Sequence, residues 1–200
     1  AALSVQLALY GAAWLVIASG FRLYPKVSGR WAAGWMLSAL GTALLAVRPT
    51  VLLPVLDLLV NLSIICSFLL LRRGLTLFLR SPWNYRGVAL AMAFVVLIEL
   101  LGFLPGDTLV LRTWTFTLAA ALTLAPILHD LLRVLPRNYQ APWSMVAMTA
   151  LPVALAILAF VARATAITYS EVTGVVALDV GSTFDIVVAL GFLVILGMFN

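Results

Sequence analysis

Seven polar residues stand at positions where an apolar chain has little tolerance for them. Asp57 and Asn61 lie four residues apart inside one hydrophobic run and so share a helical face, while Glu99 and Asp185 stand singly inside two others. Each acid falls five or six residues from the corresponding end of its run, roughly 7 to 9 Å below one surface at a helical rise. Arg48, Arg112 and Arg163 fall at the matching ends of three other runs or just inside them. An ionisable group at that depth needs a partner or water. Acids and arginines in one layer therefore point to a polar cavity open to the outer side, a ligand pocket, with helix-orienting ion pairs as the plainer use of the same residues. Glu99 and Arg112 are equidistant from the turn at Pro105 and Gly106, which predicts that they share one polar cluster.

Other intramembrane chemistries lack their residues. A Schiff base in the last run needs a lysine there, and the single lysine is Lys26, in a loop. The one histidine, His129, sits beside Asp130 as a helix-end pair and has no second histidine or cysteine near it in sequence for a metal site. Cys66, the only cysteine, excludes an internal disulfide. A serine nucleophile with a base in reach is not legible, so no catalytic residue and no cofactor are assigned to this segment.

The elements that must hold such a layer are membrane spans. Hydrophobic residues make up 64% and charged ones 10%, against roughly a quarter charged in soluble domains, and mean hydropathy is +1.17. The expected fold is all-α and integral to the membrane: a seven-transmembrane helix bundle with spans at about 3–21, 31–47, 51–71, 87–104, 109–132, 143–161 and 180–200. Val51 to Leu71 is about 21 residues, or ~31 Å, the thickness of a bilayer core. Arg72, Arg73, Arg80 and Arg86 follow it as a basic hinge. Gly34 and Ser38 place small residues at a four-residue spacing for close helix approach. Pro152 predicts a kink, and Pro54 and Pro126 also interrupt spans. Ala164 to Asp179 is the longest outer connection, and no loop is long enough for an extramembrane core.

The basic residues decide orientation. Arg22, Lys26, Arg30, Arg72, Arg73, Arg80, Arg86, Arg133 and Arg137 fall on one side, whereas Arg48, Arg112 and Arg163 fall on the other. Short basic loops stay in the cytoplasm, so the N-terminus is expected outside and the C-terminus inside. The same distribution accounts for a net charge of +5 without nucleic acid as a partner, because the basic groups lie in short loops instead of covering one face.

Tyr24, Pro25 and Lys26, then Arg30, Trp31, Gly34, Leu40 and Gly41, followed by Asn61, Arg72, Arg73, Gly74 and Leu77, resemble the membrane-embedded N-terminal regions of bacterial GGDEF-type diguanylate cyclases. Similar regions precede some sensor histidine kinases. The resemblance covers about the first ninety residues, and Gly197 to Asn200 looks like a last span feeding a signalling helix. It implies a multi-pass sensory domain of the bacterial inner membrane. A soluble output domain would follow residue 200 and make cyclic di-GMP from two GTP in a dimer or higher homo-oligomer, with GTP and magnesium bound only there. Its implied partners are the lipid bilayer and a small ligand or membrane protein. The catalytic motif of that family does not occur in these residues. A small transporter or channel with an outward polar cavity is the alternative, although duplicated halves with symmetrically broken helices are missing.

Overall fold

The computed structural model describes residues 2–22, 24–47, 54–82, 85–101 and 109–173. These residues form six helices: α1 Ala2–Ser19, α2 Pro25–Val47, α3 Pro54–Leu79, α4 Tyr85–Leu101, α5 Leu109–Tyr139 and α6 Trp143–Thr173. No strand occurs among them. By length and composition, three segments can each cross a membrane: Leu59–Leu79, Val110–Tyr139 and Trp143–Thr173. The shorter segments Ser4–Ser19 and Tyr85–Leu97 are apolar as well. The expected seventh span at 180–200 lies outside the described residues.

Proline starts two of the helices. Pro25 and Pro54 occupy first helical positions, where a missing N–H costs nothing and the ring presets φ. The expected interruption at Pro54 turns on residues 51–53, which lie outside the described residues. Three helices run farther than the hydropathy pattern implies. The expected hinge at Arg72 and Arg73 is helical, and α3 ends only at Leu79, because arginine is a good helix former and Leu75 to Leu79 continue the apolar face. α5 carries on past Leu132 through Pro136 to Tyr139. α6 continues past Val161 and takes up much of the expected outer connection. Its threonines return their hydroxyls to the helix, Thr165 to the Ala162 carbonyl, Thr168 to that of Ala164 and Thr173 to that of Tyr169.

α1 with α2, α2 with α3 and α5 with α6 pack antiparallel. α2 lies between α1 and α3, and α5 packs against α3, α4 and α6. The core follows α5, whose Phe116, Ala119, Ala120, Leu124, Ile127, Leu131 and Leu135 are buried with Ile65 and Leu79 of α3, Val95 of α4, and Val146, Ala150 and Phe160 of α6. Gly34 sits against Leu71 and the Ser67 carbonyl, where an added Cβ would come within 2.9 Å of the Leu71 side chain. The close approach expected of α2 is therefore made to α3, through this glycine and Gly41 one heptad on, against Ser63 and Ile64.

Candidate functional site at the basic end of the bundle

An α-helix leaves its last four carbonyls without intrahelical donors, and in an apolar surrounding each must find another. At the end of α3 the chain turns through Arg80, whose φ of 55° is left-handed, and the Ser81 N–H returns to the Thr76 carbonyl at 3.0 Å. The end of α5 supplies two further donors. Asn138 Nδ2 donates to the Leu79 carbonyl at 3.1 Å, and Tyr139 Oη donates to the Phe78 carbonyl at 2.6 Å. One helix thus caps another.

Aromatic rings close over this cap. Tyr139 stacks on Phe78 with centroids 5.4 Å apart and planes within 1°, and Tyr24 meets the same ring edge-on at 6.4 Å. Trp31 of α2 lies 6.0 Å from Phe78, stacks edgewise with Trp14 of α1 at 4.6 Å, and donates its indole N–H to the Leu71 carbonyl at 3.2 Å. The indole fits because residue 74 is glycine: a Cβ there would overlap its ring.

Next to Leu71, whose carbonyl accepts the Trp31 indole N–H, comes Arg72, 3% exposed and the one charged side chain that is buried among the described residues. The carboxylate whose charge acts on it is Asp130 of α5. Asp130 in turn accepts the Ser81 hydroxyl at 3.2 Å and faces His129 Nδ1 at 3.5 Å. Serine, aspartate and histidine meet here, but in an order that does not activate a nucleophile. Ser81 gives its proton to the carboxylate and has no imidazole as base. What the arrangement can do is hold α2, α3 and α5 in one relative position through groups that are costly to leave unpaired.

The arginines and lysine collect at this end. Arg22, Lys26, Arg30, Arg80, Arg86, Arg133 and Arg137 are exposed around the junction, and Arg73 is half-buried. Arg72 departs from the loop position expected of it because it occupies the buried face of α3, seven residues after Ile65 and four and seven before Thr76 and Leu79. That spacing is the sequence signal that marks it. Asp130 pairs with His129 as expected, but the pair lies within α5 and not at its end, and Asp130 also accepts the hydroxyl of Ser81 just past α3.

The expected outer layer is described in part. Phe68, Phe116 and Phe160 meet at 6.1 and 5.7 Å and define a common level of α3, α5 and α6. Asn61, Arg112 and Arg163 lie seven, four and three residues beyond it, on the side away from the basic end. All three are half-buried and each has an interaction partner. Arg48, Asp185 and the side chains of Asp57 and Glu99, with the expected Glu99–Arg112 cluster, lie outside the described residues. No group of three or more metal-ligating side chains occurs among the described residues.

Comparison with protein-family models, with curated proteins and with solved structures finds no match.

Proposed function

We propose that this chain is a membrane-embedded sensory or regulatory domain: seven spans with the N-terminus outside, the basic end in the cytoplasm, controlling an appended diguanylate cyclase. The observation that carries the regulatory part is the junction at the basic end, where Asp130 and the α5 donors hold the end of α3 and Trp31 of α2 donates to the Leu71 carbonyl, tying three helices together on the side that would adjoin a cytoplasmic domain. A packed junction of this kind has few intermediate arrangements, so a ligand or partner that favours one over another changes what the attached domain feels. The nine-to-three distribution of basic residues supports the orientation. The resemblance of the first ninety residues supports the choice of cyclase.

Two measurements test this reading. In a Cys66→Ser background, Pro82→Cys should resist an impermeant thiol reagent applied to spheroplasts and react after permeabilisation; reaction from outside reverses the orientation. In the full-length protein, Asp130→Asn and Asp185→Asn should each change cyclic di-GMP produced per molecule of folded protein, while Leu70→Ala does not. Unchanged specific output in both aspartate variants sinks the regulatory reading, and lack of any cyclase activity in the full-length protein removes the choice of output.

A further inference from the structure

The cations at the basic end share more than a level, because some of them gather round one stack of rings. Tyr24, Phe78 and Tyr139 come from three segments far apart in the chain and meet at centroid distances of 6.4 and 5.4 Å. Arg22 and Lys26 stand two residues either side of Tyr24, Arg80 two residues after Phe78 and Arg137 two residues before Tyr139. Two peptide units span at most ~7.6 Å, so the stack holds these four backbone positions in one patch. All four side chains are exposed, and among the described residues none of them makes an ion pair. Of the acids whose side chains are described, Glu171 lies at the far end of α6, and Asp130 is taken up by Ser81 and His129.

The patch lies where the long apolar segments end. Leu59–Leu79 stops next to Arg80, Val110–Tyr139 stops at the stack itself, and Trp143–Thr173 begins just beyond it. Tyr24, Tyr139 and Trp143 are 70%, 46% and 71% exposed here, amphipathic rings of the kind that sit among headgroups. We propose that the patch formed by Arg22, Lys26, Arg80 and Arg137 round the Tyr24, Phe78 and Tyr139 stack binds the headgroup phosphate of an anionic phospholipid.

Charge selects the headgroup. Cations held together repel one another, and a phosphodiester with no ammonium beside it relieves that repulsion, whereas a phosphocholine headgroup brings its own counter-charge. Arginine suits this ligand, because its planar guanidinium donates two parallel N–H groups to a phosphate. Depth selects a lipid over a free anion: the headgroup plane is where the patch lies, and a diffusing phosphate has no acyl chains to hold it there. Occupation also bears on the junction, since Tyr139 Oη donates to the Phe78 carbonyl and both rings belong to the stack. The inference needs only helices that cross a bilayer, and it stands apart from their orientation and from the choice of output domain.

Lipid selectivity of the full-length protein tests it. The protein is reconstituted into bilayers of equal parts phosphatidylglycerol and phosphatidylcholine and extracted in mild detergent, and the lipids it retains are counted by mass spectrometry. Phosphatidylglycerol should be enriched severalfold over the bilayer. Arg80→Gln with Arg137→Gln should remove most of that enrichment, and so should Arg22→Gln with Lys26→Gln, a second pair guarding against misfolding of the first. Arg86→Gln with Arg133→Gln removes the same charge from the same end at positions that do not adjoin the stack, and should leave the enrichment in place. Added phosphatidylglycerol should also raise the melting midpoint of the wild-type protein in detergent by a few degrees, and that of either stack pair by much less. No enrichment in the wild type overturns the inference, as does enrichment that survives in both stack pairs. An equal loss from the Arg86 and Arg133 pair overturns it too, because the attraction is then one of overall charge. If soluble glycerophosphate or an oligonucleotide raises the midpoint as much as the lipid does, the ligand is not a lipid and the inference fails.

Discussion

The two ends of α5 divide their polar residues differently between their own helix and its neighbours. Near its start Thr115 donates to the Leu111 carbonyl at 2.7 Å and Thr117 to that of Thr113 at 2.9 Å, and farther along Thr123 donates to that of Ala120 at 2.8 Å. Thr115 and Thr123 are buried and satisfied by their own helix, whereas Thr117 also reaches the Phe160 carbonyl of α6 at 3.4 Å and Trp114 donates to Thr168 of α6 at 2.9 Å. At its far end Asp130, Asn138 and Tyr139 find partners on α3. A hydroxyl bonded to its own helix keeps that bond when the helix slides or rotates; one bonded to a neighbour loses it. The local hydroxyls of the first end therefore survive motion between helices, while its two bonds to α6 and the bonds of the junction at the second end do not.

The largest test of this contrast is the charge at the junction. Asp130→Asn removes the carboxylate that accepts the Ser81 hydroxyl and whose charge favours Arg72, and the loss of stability in detergent should be about 1–3 kcal/mol. Arg72→Gln should cost a similar amount, and the double variant less than the sum, by at least ~1 kcal/mol. Strict additivity in denaturation midpoints breaks the coupling between α3 and α5.

An effect of the same order is expected of Gly74→Ala. The new methyl group overlaps the Trp31 indole, so the ring must move off the Leu71 carbonyl and off Phe78, at a cost of about 1–3 kcal/mol. Tryptophan fluorescence should shift with it. Trp31→Phe in the Gly74→Ala background should recover part of the loss, since the smaller ring leaves room for the methyl; no recovery would place the strain elsewhere.

The mildest changes sharpen the comparison most. Tyr139→Phe keeps the stack on Phe78 and deletes one hydrogen bond between helices, for about 1 kcal/mol. Thr123→Val deletes a hydroxyl bonded only within its helix, for no more than ~0.5 kcal/mol. Melting of the two variants side by side should rank them in that order, and the reverse ranking would mean that local hydroxyls carry as much as the junction does.

How much of this was legible in the sequence differs between fold and site. An all-helical apolar chain and the gathering of basic residues at one end depend on composition and on neighbours within a few residues, which any reader of the chain can count. Gly34 as a point of close approach was legible too, but not its partners Leu71 and Ser67. The helix ends were harder. Arg72 read as a terminator by charge and the fifth span as ending near Leu132, yet a helix continues through both, because each residue needs only to be compatible with helix while the apolar face beyond it pulls the chain onward.

The amino-acid sequence by itself determined that this chain is helical and apolar, and which of its residues are too polar for lipid. Tertiary structure alone decided what those residues meet. Ser81 and Asp130 stand 49 positions apart, and Phe78 and Tyr139 stand 61 apart. No periodicity links such pairs, since their meeting depends on which helices become neighbours and in what register. The physical reason lies in range: helix propensity and hydropathy are sums over adjacent residues, whereas a buried charge is satisfied only by a group that the packing of other helices brings within a few ångströms of it.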